Sequence, residues 1–365
     1  MKIFCTVTND LSQDQRMIRI CSTLQRAGYE VHLIGRLLPG SLPLAAQPFQ
    51  QHRLFCYFRK GKWFYLEYNL RLLFFLLRHR CELINAVDLD TLLPAFLVSR
   101  WRRIPCVYDA HEYFTEVPEV VRRPRIQKVW NALANWIIPQ LNYCYTVGPA
   151  LAQIMGERYR TPFAVVRNLP LRRMVEAVPA PAGHIILYQG ALNEGRGLEV
   201  AIAALPDLPT CELWLIGDGD VKAALQQQVA TLYLTERVRF LGFVMPADLP
   251  AYTTQAWLGL NLLENRGLSY YYSLANKAFD YVQVGLLSLQ MDFPEYRSLQ
   301  DQYGVFALLP DLSVSSFVAT VSKLLDDPVC YQEIRQNCLR AAADLCWEQE
   351  EGHLLRFYEQ VVAQR

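Results

Sequence analysis

The sequence of 365 residues predicts an α/β protein built from two doubly wound domains with parallel sheets. Short apolar runs alternate with segments of helical periodicity along most of the chain. This alternation stops at Val178–Gly183, which is rich in proline and alanine, and then restarts. At roughly 100–200 residues per domain, the length also fits two domains. Two such domains are expected to face each other across a cleft at the carboxyl ends of their strands, where ligands bind.

Five strands are expected before the interruption and four after it. The earlier strands are Ile3–Val7, Tyr29–Gly35, Cys81–Ala86, Ile104–Tyr108 and Tyr143–Val147. The later strands are Ile185–Tyr188, Glu212–Ile216, Val238–Leu241 and Leu258–Leu263. Helical segments follow most of them, for example the one in which Met17, Ile20 and Leu24 recur at helical spacing. The last part of the chain, Ser315–Gln364, is expected to be helical, with Trp347, Leu354, Leu355 and Tyr358 as buried anchors.

The charge is distributed unevenly along the chain. Residues 1–180 hold 24 Lys and Arg against 13 Asp and Glu, and the remainder holds 12 against 22, so the net charge of +1 combines a basic and an acidic half. A basic half suggests an anionic partner such as nucleic acid, lipid headgroups or a phosphorylated substrate. Alternatively, the basic residues only solubilise an aromatic-rich domain.

The ten cysteines show no CxxC or Cys/His ligand spacing, so we expect neither a zinc site nor a disulfide framework. Cys5, Cys106 and Cys144 lie inside apolar runs and are expected to be core residues. The start of the chain has no signal-peptide pattern. The apolar stretch at Leu72–Leu77 is far shorter than the roughly 18 residues that a membrane span needs. We therefore expect a reduced, cytoplasmic protein.

A loop with three glycines, Gln189–Gly197, connects a predicted strand to a helix. Its glycines allow the backbone to approach a ligand closely, and Arg196 stands just before the helix, where an anion is favoured. The alternative is a tight turn with a surface arginine. A second turn, Gly217-Asp218-Gly219, ends the next strand and either lies near the ligand or is only a turn.

The segment Leu262–Gly285 combines a polar loop with the start of a short helix. The loop carries Glu264 and Arg266, and the helix carries Asn276, Lys277 and Asp280, the last two on one face. A cation and a carboxylate placed in this way suit a diphosphate and a ribose diol. An ordinary intrahelical ion pair explains the spacing equally well. The three tyrosines Tyr270–Tyr272 either contact a sugar or base or simply pack.

In the basic half, Asp109, His111 and Glu112 follow a predicted strand. A histidine at the carboxyl end of a parallel strand is well placed to bind a ligand or to transfer a proton, although a satisfied core histidine is the alternative. Asp88 and Asp90 end the preceding strand and either support the same face as His111 or cap the following helix, which is the role we expect.

Basic and aromatic residues are interleaved from Phe55 to Arg80, with Lys62, Trp63 and Phe74 among them. This pattern suits an anionic membrane surface or a lipid-linked acceptor, and nucleic acid is a competing ligand. A core helix with a solvated basic face is the plain alternative.

Several segments in order resemble retaining glycosyltransferases of the GT-B fold, specifically the bacterial group 1 enzymes of family 4. They are VDLDTLLPA, VYDAHEYFTEVPE, YQGALNEGRGLE, GFVMPADLPAYTTQA, SLANKAFDYVQVG and WEQEEGHLLRFY. The resemblance covers nearly the whole chain, and YQGALNEGRGLE is similar to the diphosphate loop YxGxLxxxKGL. It implies two Rossmann-like domains at residues 1–178 and 184–347. It also implies that a helix at about 348–365 packs back on the first domain.

The resemblance implies a role for each matching residue. Arg196 matches a phosphate-binding lysine, Asp280 matches a glutamate that binds the ribose hydroxyls, and His111 matches a histidine of the sugar site. We expect His111, Arg196 and Lys277 to serve catalysis. The expected donor-binding residues are Gly190, Gly217, Phe243, Val244, Glu264, Asn276 and Asp280. Two positions depart from the family: Ala191 replaces a frequent arginine, and Tyr272 replaces the first of two paired glutamates.

The resemblance implies transfer of a hexosyl group, with retention, from a UDP- or GDP-sugar to a glycan or lipid-linked acceptor in polysaccharide or glycolipid synthesis. No metal or other cofactor is expected. No nucleic-acid partner is expected either, and the location is cytoplasmic, at the inner face of the membrane if the basic and aromatic segment binds lipid. The alternatives are a sugar-nucleotide epimerase of the same architecture and a non-catalytic scaffold protein.

Overall fold

The computed structural model describes residues 1–12, 14–173 and 183–364. The chain forms two compact units, of which the first comprises Met1–Asn168 with Glu350–Arg365 and the second comprises Leu169–Gln349. The linker expected at Val178–Gly183 lies outside the described residues, except for Gly183.

The first unit contains a seven-stranded sheet in the order β3-β2-β1-β4-β5-β6-β7. All of its neighbouring strands are parallel. The strands are β1 (Lys2–Thr6), β2 (Glu30–Leu37), β3 (Gln50–Phe55), β4 (Leu83–Val87), β5 (Cys106–Ala110), β6 (Tyr143–Thr146) and β7 (Phe163–Val165). Because the strand order reverses next to β1, the ends of β1 and β4 mark the switch point where ligands of such sheets bind.

Six helices connect these strands. They are α1 (Gln15–Arg26), α2 (Gly61–Arg78), α3 (Leu89–Arg102), α4 (Pro118–Val121), α5 (Pro124–Ile137) and α6 (Pro149–Tyr159). The carboxylate of Asp14 caps α1 by accepting from the N–H of Met17, and the helix buries an apolar stripe. Right-handed crossovers place α2, α3 and α5 on one face of the sheet, where α3 contacts both of the others.

The second unit repeats this plan with a six-stranded parallel sheet in the order β10-β9-β8-β11-β12-β13. Its strands are β8 (His184–Gln189), β9 (Cys211–Ile216), β10 (Val238–Gly242), β11 (Leu258–Asn261), β12 (Ser288–Met291) and β13 (Phe306–Leu309). Its helices are α7 (Leu198–Ala204), α8 (Lys222–Thr231), α9 (Leu249–Thr253), α10 (Leu268–Tyr271), α11 (Asn276–Gln283), α12 (Pro294–Tyr303), α13 (Val314–Asp326) and α14 (Pro328–Ala341). A final helix, α15 (Trp347–Ala363), begins in the second unit and continues in the first.

The predicted fold class is confirmed, but the strands β3, β7, β12 and β13 were not predicted. The expected helical segment Ser315–Gln364 is divided into α13, α14 and α15. Asp327 separates the first two, because its carboxylate accepts from the N–H of Cys330 and starts a new helix. The expected anchors Trp347, Leu354 and Tyr358 are buried, whereas Leu355 is only half-buried.

The core agrees with the apolar runs of the sequence. Cys5, Cys106 and Cys144 are buried free thiols, as expected. Burial raises the pKa of Cys106 to about 12, so this thiol is an inert core group. Within the described ranges, no helix is both long and apolar enough to span a bilayer.

Candidate functional site

The carboxyl ends of β8, β9 and β10 meet backbone to backbone through three glycines. The N–H of Gly190 donates to the carbonyl of Ile216 over 2.9 Å, and that of Gly217 donates to Gly242 over 2.7 Å. A Cβ atom at Gly217 would lie 1.9 Å from the carbonyl oxygen of Gly190, and its φ of +131° also requires glycine. At Gly217, the ends of β8 and β9 are therefore closer together than a side chain would permit.

A mostly apolar pocket of about 340 Å³ opens beside these glycines. It is lined by Gly190, Ala191, Ile216, Gly217, Asp218, Phe243, Val244, Pro246 and Leu249. Phe243 is 63% exposed although it borders the pocket. The pocket thus has a flat wall of main chain and an exposed aromatic ring, which suit the planar face of a base.

Two cationic side chains, those of Lys277 and Arg196, lie over aromatic rings of this unit. The Nζ atom of Lys277 lies 3.9 Å from the ring centroid of Tyr188, and the guanidinium carbon of Arg196 lies 5.0 Å from that of Tyr270. A Cβ atom at Gly190 would approach the Nζ of Lys277 to 3.2 Å. Gly190 therefore borders both the apolar pocket and Lys277, which in turn feels the charge of Arg196.

Neither cation is neutralised by an acid. Among the described residues, no carboxylate forms a salt bridge with Arg196 or Lys277, and the Nε of Arg196 is buried without a hydrogen-bond partner. Burial and the nearby charge of Arg196 hold the pKa of Lys277 well below its ordinary value. Two neighbouring positive groups without an acid form a site for an anion, because a bound anion relieves both their repulsion and their desolvation.

Two acids at the glycine loop are held by a third cation. Arg266 forms ion pairs with both Glu194 and Glu264. The N–H of Glu264 donates to the carbonyl of Gly195 over 3.0 Å, which joins the loop after β11 to the glycine loop. Glu264, predicted as a donor contact, is thus engaged by Arg266 in this structure.

The helix α11 carries the remaining predicted donor contacts of this unit. Asn276 is exposed at its first residue, and Asp280 is half-buried one turn further on. Lys277 and Asp280, both in the described part of the chain, do not form the intrahelical ion pair that was the alternative interpretation. Tyr272, at the position of the missing acid, packs edge-on against Tyr271 with the ring centroids 5.0 Å apart.

In the first unit, His111 follows β5 and lies beside Asp88. The N–H of His111 donates to Oδ1 of Asp88 over 2.9 Å, and its Nδ1 lies 4.0 Å from Oδ2. The prediction that Asp88 and Asp90 cap α3 is wrong. Asp88 occupies the cap position with a φ of +56° but makes no capping bond, because its carboxylate accepts from His111 instead. Asp90 lies within α3 and accepts from the hydroxyl of Thr8 over 2.7 Å.

The ionisation of this group is dominated by burial. Burial lowers the pKa of His111 to about 3, and Arg16 and Arg19 add to the effect, so the imidazole is neutral at physiological pH. Burial raises the pKa of Asp90 to about 6, and burial together with Glu112 raises that of Asp88 well above its ordinary value. Perturbed groups at a strand end are typical of functional sites.

Asp109, which the sequence grouped with His111, belongs to the core instead. Its carboxylate is fully buried, lies 2.5 Å from Nη2 of Arg16 and accepts from the hydroxyl of Tyr145 over 2.9 Å. The sequence also did not single out the ring of Tyr188, because its position in an apolar strand looks like that of an ordinary core residue.

In the described part of the chain, no group of three or more His, Cys, Asp or Glu has the arrangement of a metal site.

Comparisons with known proteins match both units. The model of Glycosyltransferase Family 4 matches residues 14–169, and that of Glycosyl transferases group 1 matches residues 183–327. No curated protein sequence matches the chain.

Solved structures of GT-B enzymes have the same fold as the chain. Sucrose-phosphate synthase from Thermosynechococcus elongatus has a TM-score of 0.83 at 16% identity, with 100% of both chains covered. Anabaena Alr3699/HepE in complex with UDP-glucose has a TM-score of 0.75 at 15% identity, again with 100% of both chains covered. WaaG, a glycosyltransferase involved in lipopolysaccharide biosynthesis, has a TM-score of 0.70 at 14% identity, covering 97% of this chain and 98% of its own. With both of its doubly wound units matched, the chain belongs to the group 1 glycosyltransferases of family 4, which have the GT-B fold.

Proposed function

We propose that the protein transfers a hexosyl group from a nucleoside diphosphate sugar to an acceptor hydroxyl, with retention of the anomeric configuration. The observation that supports this most directly is the position of Gly190 between the apolar pocket and Lys277, which has Arg196 as its cationic neighbour. A nucleoside diphosphate has the same order of parts, a flat base followed by two phosphates.

Each part of the donor has a matching group in the second unit. The base occupies the pocket beside Phe243 and Val244, and the diphosphate lies against Gly190 between the two cations. Asp280 binds the ribose hydroxyls, with Asn276 at the same end of α11. UDP is the first candidate nucleotide, because HepE, a structure of the same fold, has been solved with UDP-glucose.

The chemical step follows from where charge develops. As the glycosidic bond breaks, negative charge accumulates on the leaving diphosphate, and Arg196 and Lys277 stabilise it. These cations do the work that a metal ion does in other transferases, so we propose a metal-independent enzyme. In the first unit, neutral His111 is proposed to orient the transferred sugar or the acceptor by hydrogen bonding, with its N–H anchored by Asp88.

The test begins with thermal-shift and calorimetric titration of the protein with UDP, GDP, ADP and TDP, since a ligand of the native state raises its apparent stability. We then expect release of nucleoside diphosphate from the matching sugar donor when a glycan or lipid-linked acceptor is present. The anomeric configuration of the product, read by NMR, tests retention. Conversion of the donor sugar without acceptor would instead indicate an epimerase, and a protein that binds no nucleotide would be a scaffold.

We also propose that the enzyme works on a polysaccharide or glycolipid precursor at the inner face of the membrane. Support comes from α2, which carries a stripe of large apolar side chains that are exposed to solvent. The stripe consists of Trp63, Leu66, Leu70, Phe74 and Leu77. It lies opposite the buried stripe of Phe64, Tyr68, Leu72 and Leu76, so α2 is apolar on two faces. Such a helix needs an apolar partner on its second face.

The neighbouring helices extend this surface. Trp101 of α3 is 69% exposed, and Val129 of α5 is 68% exposed. Exposed basic residues accompany the apolar ones on all three helices: Lys62, Arg78, Arg100, Arg125 and Lys128. On α2, the carboxylate of Glu67 is neutralised by Arg71 at 2.8 Å. Apolar side chains flanked by cations fit a bilayer of anionic lipids.

Vesicle co-sedimentation tests this location. We expect binding to phosphatidylglycerol vesicles, weaker binding to phosphatidylcholine vesicles, and loss of binding in the Leu70→Glu/Phe74→Glu variant. Tyr233→Glu is the matched control, since Tyr233 is 93% exposed on the second unit. Equal binding of all three proteins, or salt-sensitive binding to random RNA rather than to vesicles, would refute the membrane location.

A further inference from the structure

The two cations of the donor site are held by aromatic rings where a carboxylate would be usual. Half-buried Arg and Lys side chains in soluble proteins are normally paired with acids, because an isolated charge is costly to remove from water. Here Lys277 lies over Tyr188 at 3.9 Å and Arg196 over Tyr270 at 5.0 Å. Both distances are within the roughly 6 Å over which a ring face attracts a cation.

We infer that Tyr188 and Tyr270 are positioning residues of the donor site, whose ring faces fix Lys277 and Arg196 while leaving their positive charge available to the diphosphate. A carboxylate would also fix the two side chains, but it would compete with the phosphates for them. The inference rests on the proposed function, because it assumes that a nucleoside diphosphate is the ligand.

The ring of Tyr188 is itself held rigidly. Its side chain is only 1% exposed, and its hydroxyl donates to the carbonyl of Ala191 over 2.7 Å. This bond ties the ring to the glycine loop, so that Lys277 and the main chain of Gly190 keep a constant distance. Since Ala191 replaces an arginine that the family often has, this chain has one cation fewer and depends more on the two that remain.

Arg266 supports the same arrangement by holding the acids away. It pairs with Glu194 of the glycine loop and with Glu264, whose N–H donates to the carbonyl of Gly195. Its side chain and the ring of Tyr270 lie on the same glycine, since a Cβ atom at Gly195 would be 3.5 Å from one and 3.4 Å from the other. Arg196 therefore faces the ring of Tyr270, while Glu194 and Glu264 are bound to a different cation.

A consequence of this arrangement is that the protein takes up a proton when the donor binds. The charged groups around Lys277 are Arg196 from the glycine loop and Asp280 on its own helix, with the rings of Tyr188 and Tyr281 from the core. Burial and Arg196 hold the pKa of the ammonium low in the empty site. A bound diphosphate adds negative charge, raises the pKa of Lys277 and draws a proton onto it.

The test is calorimetric titration with UDP of the wild type and of two pairs of variants, Tyr188→Leu with Tyr188→Phe and Tyr270→Leu with Tyr270→Phe. We expect the Leu variants to bind UDP roughly 2- to 30-fold more weakly, which is the range of a cation–ring contact. The Phe variants retain the ring and should recover most of the affinity. Tyr270 is half-buried, so its pair gives an answer even if Tyr188→Leu does not fold.

A second readout separates positioning from simple packing. Titrations in two buffers of different ionisation enthalpy, between about pH 7 and 9, measure the protons exchanged on binding. We expect uptake in the wild type and none in Lys277→Met. If the Leu variants bind UDP as tightly as the wild type, the inference about Tyr188 and Tyr270 is wrong, but the proposed function is not affected. A wild type that binds none of UDP, GDP, ADP and TDP would overturn the proposed function with it.

Discussion

Arg16 donates to Asp109 over 2.5 Å in the core of the first unit, where the side chains are 2% and 0% exposed. Burial raises the pKa of Asp109 although Arg16 opposes this effect. For Arg16 burial acts in the opposite direction, and the attraction of Asp109 raises its pKa in spite of burial, so the pair offsets much of its own desolvation. Such a pair connects α1 to β5 specifically, but it adds little net stability compared with an apolar contact.

Replacing only one member of this pair should therefore be much more harmful than replacing both. Arg16→Met leaves a buried carboxylate without its cation and is expected to cost about 3–5 kcal/mol of unfolding free energy. The double variant Arg16→Met/Asp109→Leu should recover most of this loss. Urea unfolding of the three variants measures it, and a single variant as stable as the double variant would contradict the interpretation.

A second prediction concerns the contact of Gly217 with Gly190. Gly217→Ala places a Cβ atom 1.9 Å from a main-chain oxygen that cannot move without breaking the sheet end. We expect it to destabilise the second unit by at least several kcal/mol and to abolish nucleotide binding. Gly242→Ala is the matched control, because Gly242 has a φ of +69° but nothing within 4 Å of the added atom. Its cost should be about 1 kcal/mol, that of the backbone conformation alone. Equal stability of the two variants would show that the contact is unimportant.

The strands near the centre of each sheet could be predicted because they are continuous apolar runs, as at Ile186 in β8 and Leu258 in β11. The strands β3, β7, β12 and β13 were not predicted, because β3 and β12 carry polar residues such as Gln50 and Gln290 and β7 is only three residues long. In the site, the spacing of Lys277 and Asp280 left an ion pair and a ligand clamp equally open. The choice between them depends on the contact of Lys277 with the ring of Tyr188. Because Tyr188 is distant in sequence, the local spacing could not predict this contact.

The third prediction concerns the pH dependence of stability that the buried carboxylate of Asp90 causes. Its pKa is raised by burial from 3.8 to about 6, so the folded state binds the proton more tightly than the unfolded state. The resulting stability is present at low pH and is lost as the pH rises from about 4 to about 6. Asp90→Asn removes this dependence and should stabilise the protein at pH 7 by roughly 2–3 kcal/mol, with no gain near pH 4. Thermal unfolding at both pH values measures the difference, and a gain that is the same at both would refute it.

A fourth prediction concerns His111, whose pKa is lowered by burial to about 3. Because the unfolded state protonates near 6.5, the neutral ring contributes stability above that pH, and the contribution is lost as the pH falls from 6.5 towards 3. NMR titration of the imidazole should therefore show no protonation of His111 between about pH 5 and 8. If the rate of sugar transfer has an inflection near pH 6.5, another group causes it, and the inflection should persist in His111→Gln. An imidazole that titrates near its ordinary pKa would show that the site is more open to water than the structure indicates.

The fifth prediction tests whether Asp280 binds the ribose hydroxyls. If its carboxylate accepts from a ribose hydroxyl, the wild type should bind UDP more tightly than 2′-deoxy-UDP or 3′-deoxy-UDP, by roughly 10-fold or more for the hydroxyl that is contacted. Asp280→Asn should weaken binding of UDP and reduce the discrimination, while the affinity for the matching deoxynucleotide changes little. Asn276→Ala is a control at the same end of α11, since its loss should weaken all three nucleotides similarly. Discrimination that persists unchanged in Asp280→Asn would assign the ribose to another group. The half-buried Glu264 would then be the next acid to replace, after its release from Arg266 by Arg266→Gln.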